Sequence, residues 1–228
     1  MPRRNLRAHA IRPKIYFSMP CLRTCTKEYT LDMAQPVPFS VDCLLDATAS
    51  VLCHQCSARK SLCSPASAGM LGNAKELSVA IETCRTVFFV RVQGTLDENK
   101  ENDVDMDPAV LEPVSAAILG LVKAFDNAEM AHRKEHRLTD SKKTKAAALR
   151  EYHDHLNVRR GLPNSTPLLR LLPGDEGYVA WLAAKMNFEQ RIAAVLRDYF
   201  EGADATTLSY DFDNGLDLSL GWDFLDEL

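Results

Sequence analysis

The sequence predicts a mainly α-helical protein with a small cysteine-rich module near its N-terminus. Two observations indicate this fold class: six of the seven cysteines fall between residues 21 and 63, and apolar residues recur every three or four positions in the second half of the chain. The 228 residues are 46% hydrophobic and carry a formal net charge of −4, which is typical of an ordinary folded protein of one or two domains. No apolar run approaches the roughly 20 residues of a membrane-spanning helix, and no secretory signal is evident, so we expect no membrane partner.

Five segments follow from the composition along the chain. They are a basic disordered arm (1–20), the cysteine-rich module (21–66), a helix or strand with an acidic linker (67–107), a helical region (108–202) and an acidic-aromatic tail (203–228). Residues 1–27 carry seven Lys or Arg residues and no acid, whereas residues 201–228 carry eight acids and no Lys or Arg. This asymmetry is typical of a polyanion-binding head and an acidic tail, with two solvated termini as the simpler interpretation.

After the cysteine-rich module, the sequence predicts three helices and one further element that is either a helix or a strand. Leu77, Ile81, Cys84 and Phe88 have helical spacing, but the β-prone run 86–90 leaves helix and strand both possible. The first predicted helix has one apolar face, formed by Val110, Val114, Ile118, Leu121, Phe125 and Ala128. The second covers Lys143–Arg160 and stops before Gly161 and Pro163. The third runs from Asp175, as its N-cap, to Phe200, with an apolar stripe of Trp181, Phe188, Ile192, Val195 and Tyr199.

The cysteines follow the pattern Cys21-x3-Cys25-x17-Cys43-x9-Cys53-x2-Cys56-x6-Cys63. Two thiolates separated by two residues can bind one zinc ion from a tight turn, and a third thiolate follows here at short range. Residues 21–63 contain too few large apolar side chains to fold by burial alone, so a bound zinc would supply the missing folding energy. Alternatives are a single zinc held by the last three cysteines with Cys43 or His54, or no metal and ordinary reduced thiols.

The segment 53–63 resembles one half of the fungal binuclear zinc-cluster DNA-binding domain, in which six cysteines hold two zinc ions. The resemblance implies zinc ligands at Cys21, Cys25, Cys43, Cys53, Cys56 and Cys63. It also implies phosphate contacts from Arg23, Lys27, Arg59 and Lys60. The first three cysteines depart from the spacing of the family, because three residues separate Cys21 from Cys25 and seventeen separate Cys25 from Cys43.

The acidic tail interleaves Asp and Glu with Phe, Trp and Leu, which is the composition of an activation segment that binds the transcription machinery. The alternative is a C-terminal strand or helix that packs on the helical region. The run Lys142-Lys143-Thr144-Lys145 has the form of a nuclear-import signal. These features predict a nuclear location and a role in transcription.

Sites for enzyme chemistry are not evident in the sequence. It has no glycine-rich phosphate loop and no Gly-x-Ser-x-Gly elbow, so we predict no enzyme. His132 and His136 have a spacing that can bind metal on a helix, but Arg133, Lys134 and Arg137 surround them. We interpret these histidines as part of a solvated basic face.

The combined prediction is a fungal transcription regulator that binds DNA through a variant zinc module and activates through its tail. By the family resemblance, it would control a metabolic or secondary-metabolite gene set. The alternative is a zinc-stapled protein–protein interaction module without DNA binding. The sequence does not fix the oligomeric state, the zinc count or the DNA site.

Overall fold

A computed structural model of the protein describes residues 10–11, 17–31, 45–46, 53–61, 63–88, 108–138, 142–162, 167–199, 210–211 and 215–216. This part of the chain is mainly helical, which confirms the predicted fold class. Its helices are α1 (Met19–Leu31), α2 (His54–Ala58), α3 (Leu71–Phe88), α4 (Pro108–Glu135), α5 (Lys142–Arg160) and α6 (Tyr178–Tyr199), with a 3₁₀ turn at Ala68–Met70 before α3. Most of the predicted disordered arm, the acidic linker and most of the acidic tail lie outside the described residues.

The described β-structure consists of two short antiparallel pairs. Strand β1 (Ala10–Ile11) pairs with β2 (Leu45–Asp46), and β3 (Tyr210–Asp211) pairs with β4 (Gly215–Leu216). Strand β4 contacts α3. A short piece of the predicted acidic tail therefore packs against the helical body.

The main hydrophobic core lies where α4 packs against α6 on one side and α3 on the other. Every residue of the apolar face predicted for the first helix is buried in α4. Phe125 is the centre of this core, since its ring meets Trp181 of α6 edge-on with ring centres 5.7 Å apart. Burying a side chain of this size contributes about 2–3 kcal/mol, so this face accounts for the position of α4 in the middle of the bundle.

The element that the sequence left open, around residues 74–92, is helical as far as Phe88. Leu77, Cys84 and Phe88 are all buried against α4, which is possible only if they share one helical face. Tertiary burial thus overrides the β-propensity of Val87 and Phe88.

Helix α6 begins three residues later than predicted. Asp175 is not its N-cap, because its carboxylate accepts from Leu172 N–H at 2.6 Å and from Arg159 at 2.7 Å. The first turn of α6 instead starts from Gly177, whose carbonyl accepts from Trp181 N–H at 3.0 Å. Gly177 has a φ of 85°, and an added Cβ would lie 3.1 Å from Ala128 Cα. The sharp turn and the close approach to α4 both require glycine there.

Helix α1 connects the cysteine-rich region to the main core. Phe17, Met19 and Leu22 are buried in the same cluster as the residues of α3, α4 and α6. The Phe17 ring contacts Phe125 edge-on with centres 5.9 Å apart, and Met19 N–H donates to the carbonyl of Ser64 at 2.8 Å. The start of α1 and the chain just after Cys63 are therefore held on the helical body.

Candidate metal centre

Three buried cysteines converge between α1 and α2. The sulfur of Cys21 lies 3.3 Å from that of Cys53 and 3.5 Å from that of Cys56. All three sulfurs lie within 4.8 Å of one another. Three thiolates bound at about 2.3 Å to one tetrahedral zinc ion would have sulfurs about 3.8 Å apart. The observed triangle is thus close to the one that a single zinc ion requires.

The local fold of residues 53–61 explains how Cys53 and Cys56 come together. Cys53 caps α2, because its sulfur accepts from Cys56 N–H at 3.4 Å and its carbonyl from Ser57 N–H at 2.8 Å. The helix then ends in a Schellman motif: Ser61 N–H donates to the carbonyl of Cys56 at 2.9 Å, and Lys60 is left-handed with a φ of 55°. The sequence Cys-x2-Cys thus folds as a tight turn followed by one short helix.

Cys21 is brought to this turn by the cap of α1. Ser18 precedes the helix and its hydroxyl oxygen accepts from Cys21 N–H at 3.4 Å. The same hydroxyl lies 3.4 Å from the sulfur of Cys56, so its hydrogen can be donated there. Cys21 consequently lies in the first turn of α1, where the helix dipole favours a negatively charged thiolate.

Burial keeps two of the three thiols uncharged in the absence of an ion. Burial, and to a smaller extent the neighbouring thiols of Cys53 and Cys21, raises the pKa of Cys56 to about 12 against the lowering effect of the Ser18 hydroxyl, and burial also raises the pKa of Cys21. Without an ion these groups are therefore neutral thiols, and a bound cation would shift them to thiolates. No disulfide joins Cys21, Cys53 and Cys56, so their sulfurs remain available as ligands.

The other predicted metal ligands have different outcomes. Cys63 is half-buried and packs against the three converging cysteines, which makes it the nearest described candidate for a fourth ligand. Cys43 and the side chains of Cys25 and His54 lie outside the described residues. The structure thus brings together three of the six predicted cysteines, with Cys63 beside them, and the binuclear arrangement stays a prediction.

The residues predicted to contact DNA are not equivalent. Arg59 and Lys60 are exposed at the end of α2, directly after the cysteine turn. Arg23 forms an ion pair with Asp126 of α4 at 2.7 Å, although its side chain is still 46% exposed. The side chain of Lys27 lies outside the described residues. Arg23, Arg59 and Lys60 are thus all exposed cations close in sequence to the thiols, and Arg23 also pairs with Asp126.

The interpretation of His132 and His136 as a solvated basic face is wrong. His132 is 0% exposed, and its Nε2 lies 2.9 Å from the hydroxyl of Tyr152, which also accepts from Gly69 N–H at 2.7 Å. His136 and His155 are half-buried beside it. Sequence reasoning missed this cluster because the third imidazole, on α5, meets the α4 pair only through the packing of the two helices. The spacing of His132 and His136 was the usable signal.

Burial determines the charge of these imidazoles. It lowers the pKa of His132 to about 4, with a smaller contribution from the neighbouring His136, and it also lowers the pKa of His155. At neutral pH both side chains are therefore neutral.

Comparison with protein-family models, curated proteins and solved structures found no match for this chain. Among the described residues, no helix has the length and apolar character needed to cross a membrane. The described residues therefore form a mainly helical protein with a buried cysteine cluster near its N-terminus that is compatible with zinc or a similar metal.

Proposed function

We propose that this protein is a zinc-stapled regulator of transcription, in which one zinc ion fastens the start of α1 to the loop 53–63. The observation that carries the proposal is the convergence of Cys21 with Cys53, 32 residues further along the chain, and with Cys56. Buried thiols gathered from separate segments without disulfides are typical of a structural zinc site in a reducing compartment. Cys63 is the proposed fourth ligand because it packs against the other three.

The link to transcription rests on the cysteine segment and on the charges beside it. The run 53–63 resembles half of the fungal binuclear zinc-cluster domain, and Arg59 and Lys60 stand exposed at the turn that follows the thiols. The positive φ of Lys60 ends α2, and the side chains of Arg59 and Lys60 are both exposed. In this proposal they contact phosphates of DNA, and the acidic tail recruits the transcription machinery in the nucleus.

DNA binding by the zinc-loaded full chain tests the proposal. Fluorescence anisotropy with a mixed-sequence duplex should show binding that weakens steeply as salt rises from 50 to 200 mM, because released counterions drive the association, about 0.9 per phosphate contact. Replacing Arg59 and Lys60 by Gln should weaken binding at low salt by about tenfold or more. A zinc-loaded chain that ignores DNA at low salt would refute the DNA-binding role.

The structure offers a matched control for this experiment. Arg137 follows α4 in a turn with the same geometry as Lys60, with a φ of 52° and a hydrogen bond from Leu138 N–H to the carbonyl of Arg133. The double variant Lys134→Gln/Arg137→Gln removes two positive charges, as the test variant does, from exposed positions at the end of α4. Binding should be nearly unchanged in this variant. An equal loss in both variants would mean that general charge, not the cysteine turn, attracts DNA.

A second candidate function is a zinc-stapled protein–protein interaction module without DNA binding. One observation favours it: α1 packs into the main core and Arg23 forms an ion pair with Asp126. The cysteine region is therefore packed against the helical body. Tethering the full chain to an unrelated DNA-binding domain distinguishes the two candidates. Reporter activation by the tethered chain, together with no DNA binding by the untethered chain, would favour the interaction module.

A further inference from the structure

A second group of metal-binding side chains lies at the junction of α4 and α5 and shares no residue with the thiol centre. His132 and Glu135 come from the last turn of α4, His136 follows that helix directly, and His155 comes from α5. One ligand atom from each of His132, Glu135 and His136 lies within 4.8 Å of the other two. The rings of His136 and His155 have centres 4.5 Å apart, the same separation as those of His132 and His136.

We propose that His132, Glu135, His136 and His155 bind a divalent zinc ion that ties the end of α4 to α5. Three imidazole nitrogens and one carboxylate oxygen form a ligand set that zinc accepts in tetrahedral geometry. The proposal does not depend on the thiol centre or on a role in transcription.

Two buried nitrogen atoms in this group point to a ligand. His132 Nδ1 and His155 Nε2 are both buried, and neither finds a hydrogen-bond partner among the described residues. Buried polar atoms of the side chain are nearly always satisfied in folded proteins. A zinc ion bound by both nitrogens would satisfy them at once.

Tyr152 supplies the hydrogen-bond partner that a ligating histidine needs for its other ring nitrogen. If His132 binds the ion through Nδ1, its Nε2 carries the proton and donates it to the Tyr152 hydroxyl, 2.9 Å away. Such a hydrogen bond fixes the tautomer and the ring orientation of a ligand histidine. The hydroxyl is itself held by Gly69 N–H at 2.7 Å, and an added Cβ at Gly69 would lie 3.0 Å from the His132 ring. The hydrogen bond to Tyr152 and the close approach of Gly69 therefore fix the orientation of the His132 ring.

The nearby arginines do not leave the site strongly positive. Arg133 pairs with the buried carboxylate of Glu129 at 2.7 Å. Arg159 pairs with Asp175 at 2.7 Å. These pairs balance the charges of Arg133 and Arg159, whereas Lys134 and Arg137 are exposed to solvent. Glu135 adds a negative charge beside His136, with 3.9 Å between its carboxylate and the imidazole.

Zinc content of the full chain, measured by elemental mass spectrometry after dialysis, tests the site. His136→Asn and His155→Gln should each hold one ion per chain fewer than the wild type. Both residues are only half-buried, so these variants are expected to fold, and thermal unfolding checks that they do. His153→Asn is the matched control, because His153 lies on the same helix but is exposed, and it should keep the wild-type zinc content.

Cobalt substitution separates this site from the thiol centre. The cobalt lost from His136→Asn should leave the thiolate-to-cobalt charge-transfer band at its wild-type intensity, since cysteine does not ligate the ion that is lost. If folded His136→Asn or His155→Gln retains the full wild-type ion count, the proposed four-ligand site is wrong. That result would leave the thiol centre unaffected, so the two proposals fail independently.

Discussion

Glu76 is a buried carboxylate on which three donor side chains from two parts of the chain converge. It accepts from Trp181 Nε1 and from Arg170, each at 3.0 Å, and its second ion pair is with Lys185 at 3.3 Å. Gly72, one turn earlier on α3, allows the same contact, because an added Cβ would lie 2.3 Å from Arg170 Cγ and 2.9 Å from the carbonyl of Leu168. One carboxylate thus links α3 to α6 and to the segment before it.

Glu76→Ala should lower the free energy of unfolding by about 2–3 kcal/mol, since removing one partner leaves buried charge and a buried indole N–H without an acceptor. Urea denaturation followed by tryptophan fluorescence measures this loss. The control is Glu82→Ala on the exposed side of the same helix, which should change stability by about 0.5 kcal/mol or less. Equal losses in the two variants would show that Glu76 has no special role.

His132 makes stability depend on pH in a defined direction. Its pKa falls from an ordinary 6.5 to about 4 in the folded chain because burial disfavours the imidazolium. Between these values the unfolded chain binds more protons than the folded chain, so stability is complete above pH 6.5 and is lost as the pH falls towards 4. The loss from this residue is at most about 3 kcal/mol.

Urea midpoints of the metal-free chain between pH 7 and 4.5 measure this effect, because a zinc ion on His132 would itself be released as the pH falls. The slope of stability against pH should be smaller in His132→Gln than in the wild type by up to about one proton. His153→Asn should keep the wild-type slope. A wild-type slope unchanged in His132→Gln would contradict the neutral, buried state of His132.

At the scale of elements, apolar periodicity predicted the three helices of the second half of the chain but not α1, and it left α3 open between helix and strand. The face of α4, and the bounds of α5 to within one residue, followed from the spacing of apolar residues and from Gly161. The start of α6 could not be predicted from this spacing. The turn at residues 173–177 depends on the positive φ of Gly174 and Gly177 and on the contact of Asp175 with Arg159. Such contacts between distant segments leave no local pattern in the sequence.

The proposed zinc ion should stabilise two segments selectively, helix α1 and the cysteine loop (residues 53–63). Adding a strong chelator should speed amide hydrogen exchange in residues 17–31 and 53–61, because the ion is proposed to hold these two segments together. Exchange in the parts of α4 and α6 around Phe125 and Phe188 should change much less, since their apolar contacts do not involve the thiols. Hydrogen-exchange mass spectrometry with and without the chelator measures both. Exchange that is unchanged everywhere would contradict the staple.

At the scale of the whole molecule, the sequence predicted a metal centre but only part of its composition. The Cys-x2-Cys turn is a local signal, and the structure forms it at Cys53 and Cys56. The meeting of Cys21 with that turn could be expected from the count of cysteines but depends on the packing of Phe17, Met19 and Leu22 in the core. The histidine group at α4 and α5 was misread for the same reason, since its burial arises from the docking of two helices.

Zinc content of Cys21→Ser and Cys53→Ser beside the wild type is the most direct test of the thiol centre. Sulfurs from α1 and from the cysteine loop are proposed to share one ion, so both variants should lose the same ion and the thiolate-to-cobalt band that marks it. Cys84→Ala, which alters a cysteine buried in the helical core, should keep both the zinc ion and the thiolate-to-cobalt band. If folded Cys21→Ser retains the full zinc content while Cys53→Ser loses an ion, α1 does not contribute to the site and the proposed staple is wrong.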